Sequence, residues 1–521
     1  MHRRWRRPAA ILLTALVVGV SGCAVGPDTG PGLVPGGAYG GDAPATSSSR
    51  VPAPALRPPT DNLSWHECGS RLADDYHAPA PDGVTVECAT FPSPIDPDRN
   101  DGALEIGLTR ARLAATPADA APLILTSGTD MPSSRALLLL TAGAGRSLLA
   151  THPVVAIDRR GLGLSSPLDC LTRADRATLT NNAAAGGGGQ NARISRLAQS
   201  ASSAADSCTE TLTPDQLAFT VRGAAIDLEA LRAAWKLDRL GLIGVGEGSD
   251  VVLAYTALYA GRAGRIILDT PTPYGANARD AGAAQAAGVQ AALTLFARRC
   301  ATLGNCPLAS GGVATMTAVL TKARAGDLDG LSDAETLTAI TTALAVAPSS
   351  PDGITDVAAA IAAADHGNTE ALRRLADAAA ELRGTDGQLV GTCSDVTGPI
   401  GQNDVGRLVG AWSRQFPLTG AVTALSLLRC NGWSAGEAVN PPAAFPVAPL
   451  VLSNTGDPLH GASGTATLGS LFARASTTPV TVGWAGLGFS MLARSGCAAD
   501  LVAEYVDRGR LAGPTERGCP A

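Results

Sequence analysis

From about residue 120 the chain sets short apolar runs against segments with helical spacing, and this alternation limits the fold more than any other feature. Pro122–Thr126 and Val154–Ile157 are apolar runs of strand length. Ala224–Trp235 spaces its apolar residues for a helix, with Asp227, Glu229 and Arg232 outward. Arg239–Val245 is another apolar run, Ser249–Tyr259 a helix and Arg265–Asp269 a strand. Strands apolar on both faces and separated by helices predict a parallel sheet, because parallel pairing needs crossovers and the crossover helices cover both faces. Upstream, Val84–Leu113 alternates as strands do, as in Ala103-Leu104-Glu105-Ile106-Gly107-Leu108.

Between 276 and 440 the pattern becomes Ala-rich and helical in period. Val447–Ser453 and Thr478–Val482 then restore strand-like runs, and Ala498–Arg508 reads as a last helix. The predicted class is α/β: a mostly parallel sheet with helices on both faces, in a first part (61–275) and a last part (441–521), interrupted by a helical insertion at 276–440. A chain of 521 residues with 45 % hydrophobic composition can bury one large core of this kind. The Gly-rich run Ala183–Gly189 has neither the lysine nor the strand context of a phosphate cradle and reads as a loop. A net charge of −6 speaks against nucleic acid as a partner.

Residues 1–23 read as a targeting segment. Arg3, Arg4, Arg6 and Arg7 precede an apolar stretch, Ala9–Val20, that is short for a membrane span. It closes on Val20-Ser21-Gly22-Cys23, which resembles a bacterial lipobox, so Cys23 is the expected lipidation point and the membrane the expected partner through that anchor. Residues 24–60, rich in Gly, Pro, Ser and Thr, read as a tether.

Ten cysteines follow Cys23, an even number that in an exported chain points to disulfides. Many connectivities are open. Pairing of neighbours is the simplest, since each pair closes a short or moderate loop: Cys68–Cys88, Cys170–Cys208, Cys300–Cys306, Cys393–Cys430 and Cys497–Cys519. No CxxC and no Cys/His cluster with zinc spacing occurs, so neither metal nor other cofactor is expected.

Several segments, in order, resemble the secreted tripeptidyl/prolyl aminopeptidase-like branch of the α/β-hydrolases of actinobacteria. They are Trp65-His66-Glu67-Cys68 with Val86-Glu87-Cys88-Ala89, the stretch Asp158–Cys170, Asp227–Arg232, Cys393-Ser394-Asp395, Cys430-Asn431-Gly432-Trp433, Ala448-Pro449-Leu450 through Gly456-Asp457-Pro458, and Gly513–Cys519. The resemblance covers roughly 63–521 and implies an α/β-hydrolase fold with a helical lid. It also implies a Ser-Asp-His triad whose serine stands on a G-x-S-x-G turn between strand and helix.

Position by position, that triad is broken. The turn reads Gly244-Val245-Gly246-Glu247-Gly248, with Gly246 where the serine belongs. Ser249, three residues on, fits an N-cap or packing role. Asp457 keeps the acid position, and Gly486-Leu487-Gly488 puts Leu487 where the resemblance implies histidine. The glycine-rich oxyanion loop is reduced to Ser127-Gly128-Thr129-Asp130-Met131-Pro132-Ser133, with Gly128 and Thr129 as its remnant and Asp130 adding a charge that opposes an oxyanion. Of the six histidines (2, 66, 77, 152, 366 and 460) only His460 follows Asp457. It lies in the same turn, where it is expected not to reach the elbow as a triad base while oriented by Asp457 in the usual way; His66, His77, His152 and His366 are expected at the surface or in loops. Losing either Ser or His from such a triad costs on the order of 10⁶ in turnover.

The sequence therefore predicts a pseudo-hydrolase of the cell envelope, anchored on the outer face of the membrane, that binds a peptide, lipid or envelope protein in its cleft. A second reading is a hydrolase or peptidase in which Asp457, Glu247 or Asp250 acts as general base on water. A third is a structural envelope protein without ligand.

Overall fold

The computed structural model describes residues 53–99, 102–185, 187–348 and 350–521. The targeting segment, Cys23 and most of the expected tether lie outside these residues. Residues 53–60, read from sequence as the end of the tether, lie instead along the core: Arg265 Nη1 donates to the Pro54 carbonyl (2.8 Å) and Leu56 packs against buried residues of the sheet.

The strands are β1 (His66–Glu67), β2 (Thr85–Pro94), β3 (Ala103–Arg112), β4 (Leu123–Thr126), β5 (Val154–Ile157), β6 (Leu240–Val245), β7 (Ala263–Asp269), β8 (Leu450–Gly456), β9 (Val480–Leu487) and β10 (Glu516–Gly518). They form one sheet in the order β1-β2-β3-β5-β4-β6-β7-β8-β9-β10. Pairing is antiparallel from β1 through β5, by way of β2 and β3, and parallel from β5 onward. The swap of β4 and β5 and the run β6 to β9 beside them give the sheet of an α/β-hydrolase.

Period-two alternation sends the central strands into two cores. Leu123, Leu125, Ile243 and Val245 face the helices Ser133–Ala142 and Gly496–Arg508, meeting Leu137, Val502 and Tyr505. Ile124 and Leu242 face the helices Val221–Ala234 and Gly248–Leu258, meeting Leu228 and Leu253. Every residue of β4, β5, β6 and β7 is buried, which is why these runs carry no polar face.

The loop after β5 is pinned by Arg160, whose Nε and Nη2 reach the two carboxylate oxygens of Asp227 at 2.9 and 2.6 Å. The five disulfides join Cys68–Cys88, Cys170–Cys208, Cys300–Cys306, Cys393–Cys430 and Cys497–Cys519.

The insertion between β7 and β8 is helical. Phe296, Met316, Leu320, Ile340, Ile361 and Leu372 form its own core. A second cluster joins Val405, Leu408, Trp412 and Leu425 of the insertion to Ile194, Leu197, Ala201 and Ala204 of the helix Gln190–Leu212. That helix, assigned by chain position to the first part of the core, is thus packed as part of the lid. The reason is physical: its apolar face finds its partner some 200 residues downstream, which a division along the chain cannot register. No helix among the described residues is long and apolar enough to cross a membrane.

Candidate functional site

The elbow forms where β6 turns into the helix Gly248–Leu258. Gly248 allows the turn to press against the end of β4, since a Cβ there would stand 1.9 Å from the Thr126 carbonyl oxygen. Gly246 has φ +55°, a left-handed conformation that costs a side-chain-bearing residue about 1–3 kcal/mol. Ser249 is buried and donates its hydroxyl to the Gly244 carbonyl (3.0 Å), so it serves packing and offers no nucleophile.

Asp130 fills the place of the missing nucleophile. A Cβ on Gly246 would lie 2.0 Å from Asp130 Oδ2. The same oxygen accepts the backbone N–H of Glu247 (2.9 Å), the amide that follows the nucleophile position and would otherwise point at a developing oxyanion. Asp130 Oδ1 is 2.6 Å from His460 Nε2, with both side chains buried. Beyond the charge repulsion that its sequence position implies, the Asp130 carboxyl takes the elbow amide itself.

His460 comes to the elbow through Asp130, which orients its ring in place of Asp457. Asp457 Oδ1 accepts the backbone N–H groups of Leu459 (2.8 Å) and His460 (3.2 Å), closing its own turn and carrying the imidazole toward Asp130. Gly456, in β8, pairs with Leu487 of β9, and Leu487 packs against the lid core. The ring at the elbow is that of Phe489, whose Cε2 would be 3.1 Å from a Cβ on Gly246. Of the other described histidines, His66, His77 and His366 are exposed, and His152 is half-buried, its Nδ1 2.8 Å from the Ala121 carbonyl.

Burial dominates the electrostatics here. It would depress the His460 imidazole, but the adjoining Asp130 carboxylate more than offsets it and holds the ring at about 9, so His460 is a cation at neutral pH. Burial, then the Asp130 charge, pushes Glu247 up to about 7. Burial, then Glu247, lifts Asp250 to about 8, and burial lifts Asp457 to about 7. Unpaired carboxyls in low dielectric take up a proton in preference to bearing an isolated charge.

The oxyanion-loop remnant is also strapped to the lid. Arg383 Nε donates to the Asp130 carbonyl (3.0 Å), Gln388 Nε2 to the Thr129 carbonyl (3.2 Å), and the hydroxyls of Thr392 and Thr129 are 3.3 Å apart. The Asp130–His460 pair left one trace in the sequence: an acid in the oxyanion loop and a histidine beyond Asp457 are complementary departures from the implied pattern.

Between elbow and lid lies a cavity of about 510 Å³. Asp130, Glu247, Asp250 and His460 line its floor, while Asp457 is absent from its wall. Glu247 and Asp250 thus meet the cavity, and Asp457, the third residue considered as a general base, does not. Among the described residues no three His, Cys, Asp or Glu side chains are grouped to hold a metal ion.

Sheet order, elbow and lid define an α/β-hydrolase. Residues 416–518 match the TAP-like protein family, a likeness that agrees with the α/β-hydrolase fold. It is similar to the serine protease Hip1 of Mycobacterium tuberculosis and of Mycobacterium bovis, 26 % identical over 263 residues that cover 50 % of this chain and 48 % of the relative. The match therefore spans about half the length of those relatives. Solved structures similar to it include proline iminopeptidase of Mycobacterium smegmatis (14 % identity, TM-score 0.35, covering 80 % of this chain and 98 % of that one) and esterase E22 (13 %, TM-score 0.38, covering 81 % and 100 %).

Proposed function

We propose that this chain is a non-hydrolytic, ligand-binding member of its family, held to the outer face of the membrane by a lipid on Cys23, with a peptide, lipid or envelope-protein ligand in the cavity under the lid. The observation that carries the reading is the placement of Asp130. Its carboxyl stands where a nucleophile would begin and takes the elbow amide, so neither an acyl-enzyme nor an oxyanion has room. His460, protonated and paired with Asp130, is a cation and not a base at neutral pH. The relatives' name, serine protease, describes proteins of a family whose nucleophile position in this chain is Gly246.

The test is labelling of the purified chain with a serine-directed fluorophosphonate, beside a panel of peptide and ester substrates and ligand-dependent melting. No labelling and no turnover, with melting shifts for ligands, is the expected result. Turnover of any substrate lost on Glu247→Gln or Asp250→Asn overturns it. Such turnover would favour the second reading, an acid–base hydrolase, which draws support from the titration of Glu247 and Asp250 near neutrality in the cavity wall.

A further inference from the structure

The cations lining the cavity fall into two groups. Arg159 is 2.5 Å from Asp395, Arg176 is 2.9 Å from Asp386, and His460 is paired with Asp130. Among the described residues, Arg383 and Arg429 have no carboxylate within ion-pair distance. Arg429 Nε donates to the Asn182 side-chain carbonyl (2.9 Å) and its Nη2 to the Thr180 carbonyl (3.4 Å). Arg383 Nε donates to the Asp130 carbonyl (3.0 Å). That leaves Arg429 Nη1 and both terminal nitrogens of Arg383 with no acceptor among the described residues, in side chains that line the cavity. Of the cavity's remaining carboxylates, Glu335 holds the Ser332 N–H and Glu437 is exposed; neither pairs with these arginines.

Two guanidiniums in one cavity wall, neither with a carboxylate partner among the described residues, repel each other, and a bound anion would relieve that repulsion. Burial and then Arg383 lower Arg429 to about 10, which leaves it charged at neutral pH. The unpaired acids across the cavity differ, because they can become neutral by taking a proton, whereas a guanidinium cannot readily lose one. The cavity thus presents guanidinium N–H groups that no carboxylate among the described residues engages.

We propose that Arg383 and Arg429 form a subsite for an oxyanion, a carboxylate or phosphate carried by the ligand, which the guanidinium N–H groups would bind as a charge-assisted fork. The proposal deepens the ligand-binding reading and rests on the cavity being a binding site, not on the loss of hydrolysis. The chemistry is shared by a peptide C-terminus and by phosphate, so both serve as probes.

Calorimetric titration of the full chain at pH 7 would use N-acetyl-trialanine as the free acid and as the amide, and inorganic phosphate. Binding of the acid at least about tenfold tighter than the amide is expected, as for loss of one charge-assisted contact. Arg429→Gln and Arg383→Gln should each weaken the acid about tenfold, and Arg429→Lys should retain most of the affinity. Binding of phosphate alone, weakened by the same variants, supports the site and assigns it to phosphate. Should Arg429→Gln fail to melt cooperatively, Arg383→Gln carries the comparison.

Equal affinity for acid and amide without phosphate binding, absence of binding by both acid and phosphate, or affinities unmoved by the folded variants would overturn the proposal. Substrate turnover would instead overturn the non-hydrolytic reading and leave the oxyanion site standing.

Discussion

Asp130 and the elbow residue Gly246 compete for one place, since a Cβ on Gly246 would stand 2.0 Å from Asp130 Oδ2. The glycine and the acid are therefore a matched pair. The space that the nucleophile gives up at 246 is the space the carboxyl needs to reach the Glu247 amide and His460.

Restoring the serine should fail as a repair. Gly246→Ser must adopt φ near +55° and push Asp130 away from Glu247 and His460, costing at least about 2 kcal/mol in stability. In Gly246→Ser with Leu487→His, fluorophosphonate labelling is expected to stay at background, because position 487 packs on the lid and Asp130 still fills the elbow. Labelling of that double variant would show that the loop yields.

Removing the charge of Asp130 tests the pair directly. Asp130→Asn keeps the shape but strands a buried imidazolium, which predicts a loss of about 3 kcal/mol and a fall of the His460 titration from about 9 to 6.5 or below. Chemical denaturation gives the first number and imidazole proton resonances the second. A ring that still titrates near 9 would assign its shift to other carboxylates.

Stability should decline with pH between about 5 and 9. Glu247, Asp250 and Asp457 hold protons in the folded chain up to about 7, 8 and 7, and burial also raises Asp158 and Asp269. Unfolded, such carboxyls release their protons near about 4, so stability is lost as pH rises through the folded values. His460 acts in the same direction: its contribution is full below about 6.5 and lost as pH passes about 9. Melting temperatures in matched buffers should drop by several degrees from pH 5 to 9, and Asp130→Asn should flatten the upper part of the curve.

Arg160→Lys should destabilise despite keeping the charge. Both side chains of the Arg160–Asp227 pair are almost fully buried, and the two-pronged contact needs a planar guanidinium. A loss of about 3 kcal/mol is expected in denaturant unfolding.

Much of the fold was legible from order along the chain. Apolar runs of strand length separated by helical periods dictate a parallel sheet, and β4 to β7 fall on those runs. The elbow's glycines announce a close approach of β6 to β4, and Gly246 on its own removes the nucleophile. What reads well in each case is short-range: periodicity, turn conformation and loop closure by neighbouring residues.

The site's contents were set at long range. Asp130 and His460 are 330 positions apart, and no local pattern tells either that the other lies within 2.6 Å. The helix Gln190–Leu212 likewise displays an apolar face in sequence without displaying its lid partner. Periodicity along the chain is enough to specify the sheet and its interruption, and the residues at 246 and 487 alone remove the serine and the histidine. Folding is what puts a carboxyl into the vacated elbow and brings Arg383 and Arg429 to one cavity with no carboxylate partner among the described residues. Local propensity acts between residues near in the chain, whereas packing and ion pairing act between residues that folding alone brings together.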